Sequence, residues 1–98
     1  MATLIQNQNK DWYKIVACTR REWMAYSETF GNCHLCGDEV YLDDLMYYIP
    51  VLDVAYCERC YKLWATSAMF YKVDLKIETE NLEKIKRAFK EMGCWDEN

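Results

Sequence analysis

The chain has 98 residues, of which 52% are hydrophobic, 15% aromatic and 29% charged, with three Gly and one Pro. That length suits a single domain over 1–98, and that composition excludes a disordered, collagen-like or linker chain. Twelve Lys and Arg against sixteen Asp and Glu give a formal charge of −4, which disfavours nucleic acid, where affinity rests on neutralising phosphates. No apolar run approaches the roughly 20 residues of a membrane span. Residues 1–10 carry neither the basic nor the apolar region of a signal peptide, so the expected location is the cytoplasm.

In chain order, residues 1–10 are polar and are expected to be a flexible N-terminus. From Asp11 to Phe30 there is no Gly or Pro, and Trp12, Val16, Thr19, Trp23, Tyr26 and Phe30 recur at spacings of four and three. This stripe favours one helix, with Asp11 as N-cap and Gly31 as stop. A competing reading divides the segment into a strand over 13–18 and a helix opened by the capping box Thr19-x-x-Glu22.

Next come the cysteines. Cys33-His34-Leu35-Cys36 and Cys57-Glu58-Arg59-Cys60 are two Cys-x-x-Cys pairs separated by the twenty residues from Gly37 to Tyr56. Two sulfurs on a tight turn can point at one ion about 2.3 Å away, and two such turns complete a tetrahedron. The expected ligands are therefore Cys33, Cys36, Cys57 and Cys60, holding one structural Zn2+ per chain. A disulfide framework conflicts with a reducing compartment. A thioredoxin-like site would leave one pair idle. A rubredoxin-type iron site remains the closest alternative, although Tyr61 stands where its second knuckle usually has glycine.

Cys33 to Gly37 has the form of a knuckle whose glycine takes a left-handed turn. Met46 to Tyr56 is rich in aromatic and β-branched residues and predicts a hairpin turning at Leu52-Asp53, with Pro50 limiting it to an edge position. Cys57 to Trp64 then predicts the first turns of a helix, where thiolates are favoured by free amides. Residues 33–71, in that order, resemble a single treble-clef zinc finger of the GATA-like or LIM-like kind. The resemblance implies a structural metal held by the same four cysteines. It departs from LIM domains in lacking a second ligand set, and from GATA fingers in the apolar run Trp64, Ala65, Ala68, Met69, Phe70.

Downstream, Val73, Leu75 and Ile77 alternate with Lys72, Asp74 and Lys76, the period of a half-buried strand. Thr79 is expected to cap a helix to Met92 with Leu82, Ile85, Phe89 and Met92 inward, ended by Gly93. The fold class is thus α+β: a treble-clef finger flanked by an N-terminal helix and a C-terminal strand and helix.

Four cysteines close a metal shell, and no catalytic motif is present, so no enzymatic activity is expected. His34, in the middle of a knuckle, points away from the ion; Cys18 and Cys94 are expected to be buried or idle thiols. Fifteen aromatics exceed what a chain this size buries, and Tyr41, Tyr47, Tyr48 and Trp95 are candidates for an exposed patch. The favoured function is a protein-interaction module or small regulator, with homodimerisation through the Val73–Ile77 strand as one route. The alternative is a transcription-related nucleic-acid binder using Arg20, Arg21, Lys72, Lys76, Lys84, Lys86, Arg87 and Lys90 on one face.

Overall fold

The fold was obtained as a computed structural model that describes residues 1–5 and 12–96. The elements are β1 (Ala2–Ile5), β2 (Ile15–Thr19), α1 (Arg20–Ser27), β3 (Leu45–Ile49), β4 (Val54–Cys57), α2 (Glu58–Ser67), α3 (Leu75–Glu91) and β5 (Trp95–Asp96). A short 3-10 turn, Lys72–Asp74, leads into α3. The result is a small α+β domain with a five-stranded sheet in the order β4-β3-β2-β1-β5. Every neighbouring pair is antiparallel except β1 and β5.

Strand alternation sends the two faces of this sheet to different cores. Ala2, Val16, Cys18 and Tyr48 point to one face, where they pack with Leu82, Ile85 and Phe89 of α3, with Trp95, and with Trp23 and Tyr26 of α1. Ile15, Ile49 and Tyr56 point to the other, where they meet Cys33, Cys57 and Cys60 and the partly buried Tyr61 and Trp64 of α2. One face is therefore closed by a long helix with an apolar stripe. The other is closed by a short helix and a cluster of sulfurs.

Several expectations from sequence are corrected here. Residues 13–30 do not form one helix: the strand-plus-helix reading is the observed one. Residues 15–18 are buried because β2 is an interior strand covered on both faces, which reads as a continuous apolar run. The helix starts where the capping box predicts, with the Glu22 amide donating to Thr19 Oγ1 and the Thr19 amide to Glu22 Oε1. It ends at Ser27, with Glu28 in the left-handed region at φ 57°, so Gly31 is not its stop. Gly31 instead lets the chain pass α1 closely: a Cβ there would lie 2.5 Å from Met24 Cγ. Asp11, taken as an N-cap, lies outside the described residues.

The expected flexible N-terminus fails for residues 2–5, since β1 is an interior strand between β2 and β5; residues 6–10 lie outside the described residues. The expected strand at Val73–Ile77 is not a strand. Its residues form the 3-10 turn and the first turn of α3, and Val73, Leu75 and Ile77 are all exposed. The buried stripe of α3 is Glu78, Leu82, Ile85 and Phe89. Its first member is a carboxylate, which hides the helix start from any search for apolar periodicity. Thr79 lies inside α3 rather than at its cap, and Met92 is exposed. Gly93, at φ 75°, does turn the chain out of the helix, bringing the Cys94 amide to the Phe89 carbonyl at 3.0 Å. The hairpin is present and turns at 50–53, but β3 is an interior strand, so Pro50 follows it in the turn and confines nothing to the edge.

Two polar rivets join the segment before β2 to the chain entering α3. The Tyr13 hydroxyl donates to Asp74 Oδ2 at 2.7 Å, lies 2.9 Å from the Met69 carbonyl and accepts the Tyr71 amide. The buried Glu78 carboxylate accepts the Lys14 amide at 3.0 Å.

Candidate metal centre

The first pair of cysteines sits on a tight turn. The Gly37 amide returns to the Cys33 carbonyl at 2.9 Å, the Cys33 amide reaches the Asp38 carbonyl at 3.0 Å, and Gly37 takes φ 78°. The His34 amide then donates to the Ala55 carbonyl at 3.0 Å, fastening this turn to the outer edge of β4. The second pair straddles a strand-to-helix junction: Cys57 ends β4 and is the N-cap position of α2, and Cys60 lies in the first turn. Sheet register thus fixes Cys57, helix geometry fixes Cys60, and one amide–carbonyl bond carries the remaining two to meet them.

The sulfurs of Cys33, Cys36, Cys57 and Cys60 all lie within 4.8 Å of one another. Cys36 Sγ and Cys57 Sγ are 3.9 Å apart. A tetrahedral ion with bonds of about 2.3 Å would set its sulfurs about 3.8 Å apart, whereas a disulfide requires about 2.05 Å. The spacing fits a shared ion. Among the described residues this is the group able to hold one, and the four cysteines picked out from sequence are the four brought together.

The donor chemistry agrees. Burial pushes the Cys33 thiol up, but the amides of Cys36, Cys57 and Leu35 more than offset it and bring it down to about 6. Burial and the neighbouring sulfurs push Cys60 up to about 12, and burial likewise raises Cys57. Four thiols this close do not ionise together unaided; a divalent cation deprotonates the thiols that coordinate it. The shell is also unequal: Cys33, Cys57 and Cys60 are buried and Cys36 is exposed. Arg59, between the second pair, pairs with Asp38 at 3.3 Å. Its position between two ligands carries no sequence signal for that contact.

The remaining candidates lie elsewhere. His34 is exposed and lines a cleft of about 750 Å³ with Trp23, Tyr26, Phe30, Asp53 and Lys84. Cys18 is buried in the core beneath α3, with Cys94 packed partly buried against it, and burial lifts the Cys18 thiol to about 12. Of the four aromatics expected at the surface, Tyr41 is 84% exposed, while Tyr48 and Trp95 are buried. Tyr47 is half-buried, stacked on Tyr61 at 4.6 Å with 7° between the rings. Sequence reasoning misses the exposed apolar residues at 73–77, because Val73, Leu75 and Ile77 alternate as in a half-buried strand. No helix among the described residues is long and apolar enough to cross a membrane.

Comparison of the chain with protein-family models, with curated proteins and with solved structures finds no match.

Proposed function

We propose that this chain is a cytoplasmic protein-interaction module, without enzymatic activity, in which one structural zinc ion bound by Cys33, Cys36, Cys57 and Cys60 fastens α2 to the sheet. A turn carrying two cysteines, the β3–β4 hairpin and a helix carrying the last ligand support reading residues 33–71 as one treble-clef finger. An all-cysteine set favours zinc over harder ions and leaves no open position for a reacting water.

The observation that carries the interaction reading is the run of apolar side chains left in solvent between α2 and α3. Met69 is 66% exposed and Val73 82%, with Leu63, Tyr71, Leu75 and Ile77 also exposed. Such groups gain most from a partner that covers them. The cations needed for nucleic acid are, by contrast, partly committed within the chain. Arg20 donates to the Phe30 and Val40 carbonyls, Arg21 pairs with Asp43, and Lys86 lies over the Trp95 ring. Val73–Ile77 forms a 3-10 turn and the start of α3, so it offers no strand edge for homodimerisation.

Two experiments test the proposal. Elemental analysis of purified protein should find about one zinc per chain; iron, or oxidised thiols without metal, would reject the metal assignment. Crosslinking in host lysate should trap a protein that Val73→Glu with Ile77→Glu no longer traps, at low and at moderate salt alike. Retardation of DNA or RNA that vanishes as salt is raised would instead establish the nucleic-acid reading.

A further inference from the structure

We infer that Cys36 is a modification site: the one sulfur of the cluster through which hydroperoxides and soft electrophiles attack the finger and release its ion. The inference rests on the zinc reading above and adds to it a function for the unequal shell. Three of the four sulfurs are 3–7% exposed as residues, whereas Cys36 is open to solvent. Its sulfur lies 3.9 Å from that of the buried Cys57. Buried structural cysteines are inert and accessible ones meet reagents first, so exposure separates the four.

The chemistry closes without a further reactant. The Cys36 thiolate attacks one oxygen of hydrogen peroxide, the O–O bond breaks, and Cys36 becomes a sulfenic acid as hydroxide leaves. The Cys57 thiolate, 3.9 Å away, then attacks the Cys36 sulfur, forming the disulfide and expelling a second hydroxide. Two thiolates lose two electrons and the peroxide gains them. Two ligands are lost together, and with them the fastening between the 33–37 turn and the start of α2. A thiol reductant reverses the change, so the device is a redox switch.

The test uses the full chain carrying Cys94→Ser, which removes the partly exposed thiol outside the cluster. Zinc content is measured first, then one equivalent of N-ethylmaleimide or hydrogen peroxide is added while released zinc is followed with an indicator dye. Peptide mapping should find the maleimide on Cys36, appearing in step with zinc release, and a Cys36–Cys57 disulfide after peroxide. Cys36→His, which keeps a fourth ligand without the exposed thiolate, should hold zinc and slow release by about tenfold or more. First modification at Cys33, Cys57 or Cys60, or release as fast from Cys36→His, would overturn the inference while leaving the zinc reading standing. Absence of zinc at the outset overturns that reading itself, and is known before any reagent is added. Should Cys36→His not retain the ion, the mapping on the parent chain decides alone.

Discussion

Removing the ion should dissolve one face of this protein and spare the other. Ordering the ten residues of α2 costs about 10–20 kcal/mol of backbone entropy at roughly 1–2 kcal/mol per residue. Cys60 is the single buried residue that α2 offers in return, helped by partly buried Tyr61 and Trp64. The apparent binding energy of a structural zinc, roughly 10–16 kcal/mol, is of the same size as that cost. Opposite it, α3 packs Leu82, Ile85 and Phe89 into a separate core that contains none of the four clustered cysteines, so its burial does not depend on the ion. Chelation followed by hydrogen exchange with mass spectrometry should therefore strip protection from 33–37 and from α2, while 82–91 keeps most of its own. A local loss of about 3 kcal/mol or more would appear as exchange roughly a hundredfold faster. Equal loosening of α2 and α3 would refute the division, as would an α2 that chelation leaves unchanged.

Tyr13→Phe should cost about 1–3 kcal/mol, because the Asp74 carboxylate, the Met69 carbonyl and the Tyr71 amide lose a shared partner; a urea melt unchanged from the parent would remove the rivet from the account. Glu78 gives a pH signature. Burial lifts its carboxyl above the ordinary value of 4.5, the Lys14 amide and charge pull it part of the way back, and Asp74 pushes it up again. A carboxyl raised in the native state adds stability that is present below its unfolded value and is lost as pH rises through the folded one. Relative to the parent, Glu78→Gln should thus gain stability as pH rises through the window just above 4.5; a difference flat with pH in paired urea melts would refute this. Chelation should also weaken capture of the protein partner by several-fold, since Leu63 of α2 belongs to the exposed run; capture unaffected by chelation would confine the interface to the α3 side.

What sequence made legible was chemistry with a fixed local spacing. Two Cys-x-x-Cys pairs named the four sulfurs that the fold brings together, and Thr19-x-x-Glu22 named the start of α1, because each pattern depends on only one turn of chain. What it concealed were elements defined by distant partners. Ala2–Ile5 becomes a strand only because Ile15–Ala17 lies beside it and Trp95 returns on its other edge. Ile15–Thr19 could pass for part of a helical stripe because an interior strand shows no polar alternate positions. Val73, Leu75 and Ile77 alternate as a strand would, yet all three are exposed. Periodicity records which residues are apolar, and only the fold records which of them find cover.

That last distinction bears on function. In a chain with two cores, Leu63, Met69, Tyr71, Val73 and Ile77 were within reach of burial, and Tyr13, Trp64 and Phe70 beside them do cluster, with the Tyr13 ring 5.0 Å from Phe70 and 5.8 Å from Trp64. The polar rivets at Tyr13–Asp74 and Lys14–Glu78 hold the chain entering α3 against β2's lead-in, while Val73 and Ile77 are exposed. Apolar groups left in water cost the isolated chain free energy, and on the reading proposed above a partner covering them would recover it. α2, which carries Cys60 of the cluster, supplies one end of that exposed run and α3 the other. A change at the sulfurs would therefore alter half of the presented surface without unfolding the sheet behind it.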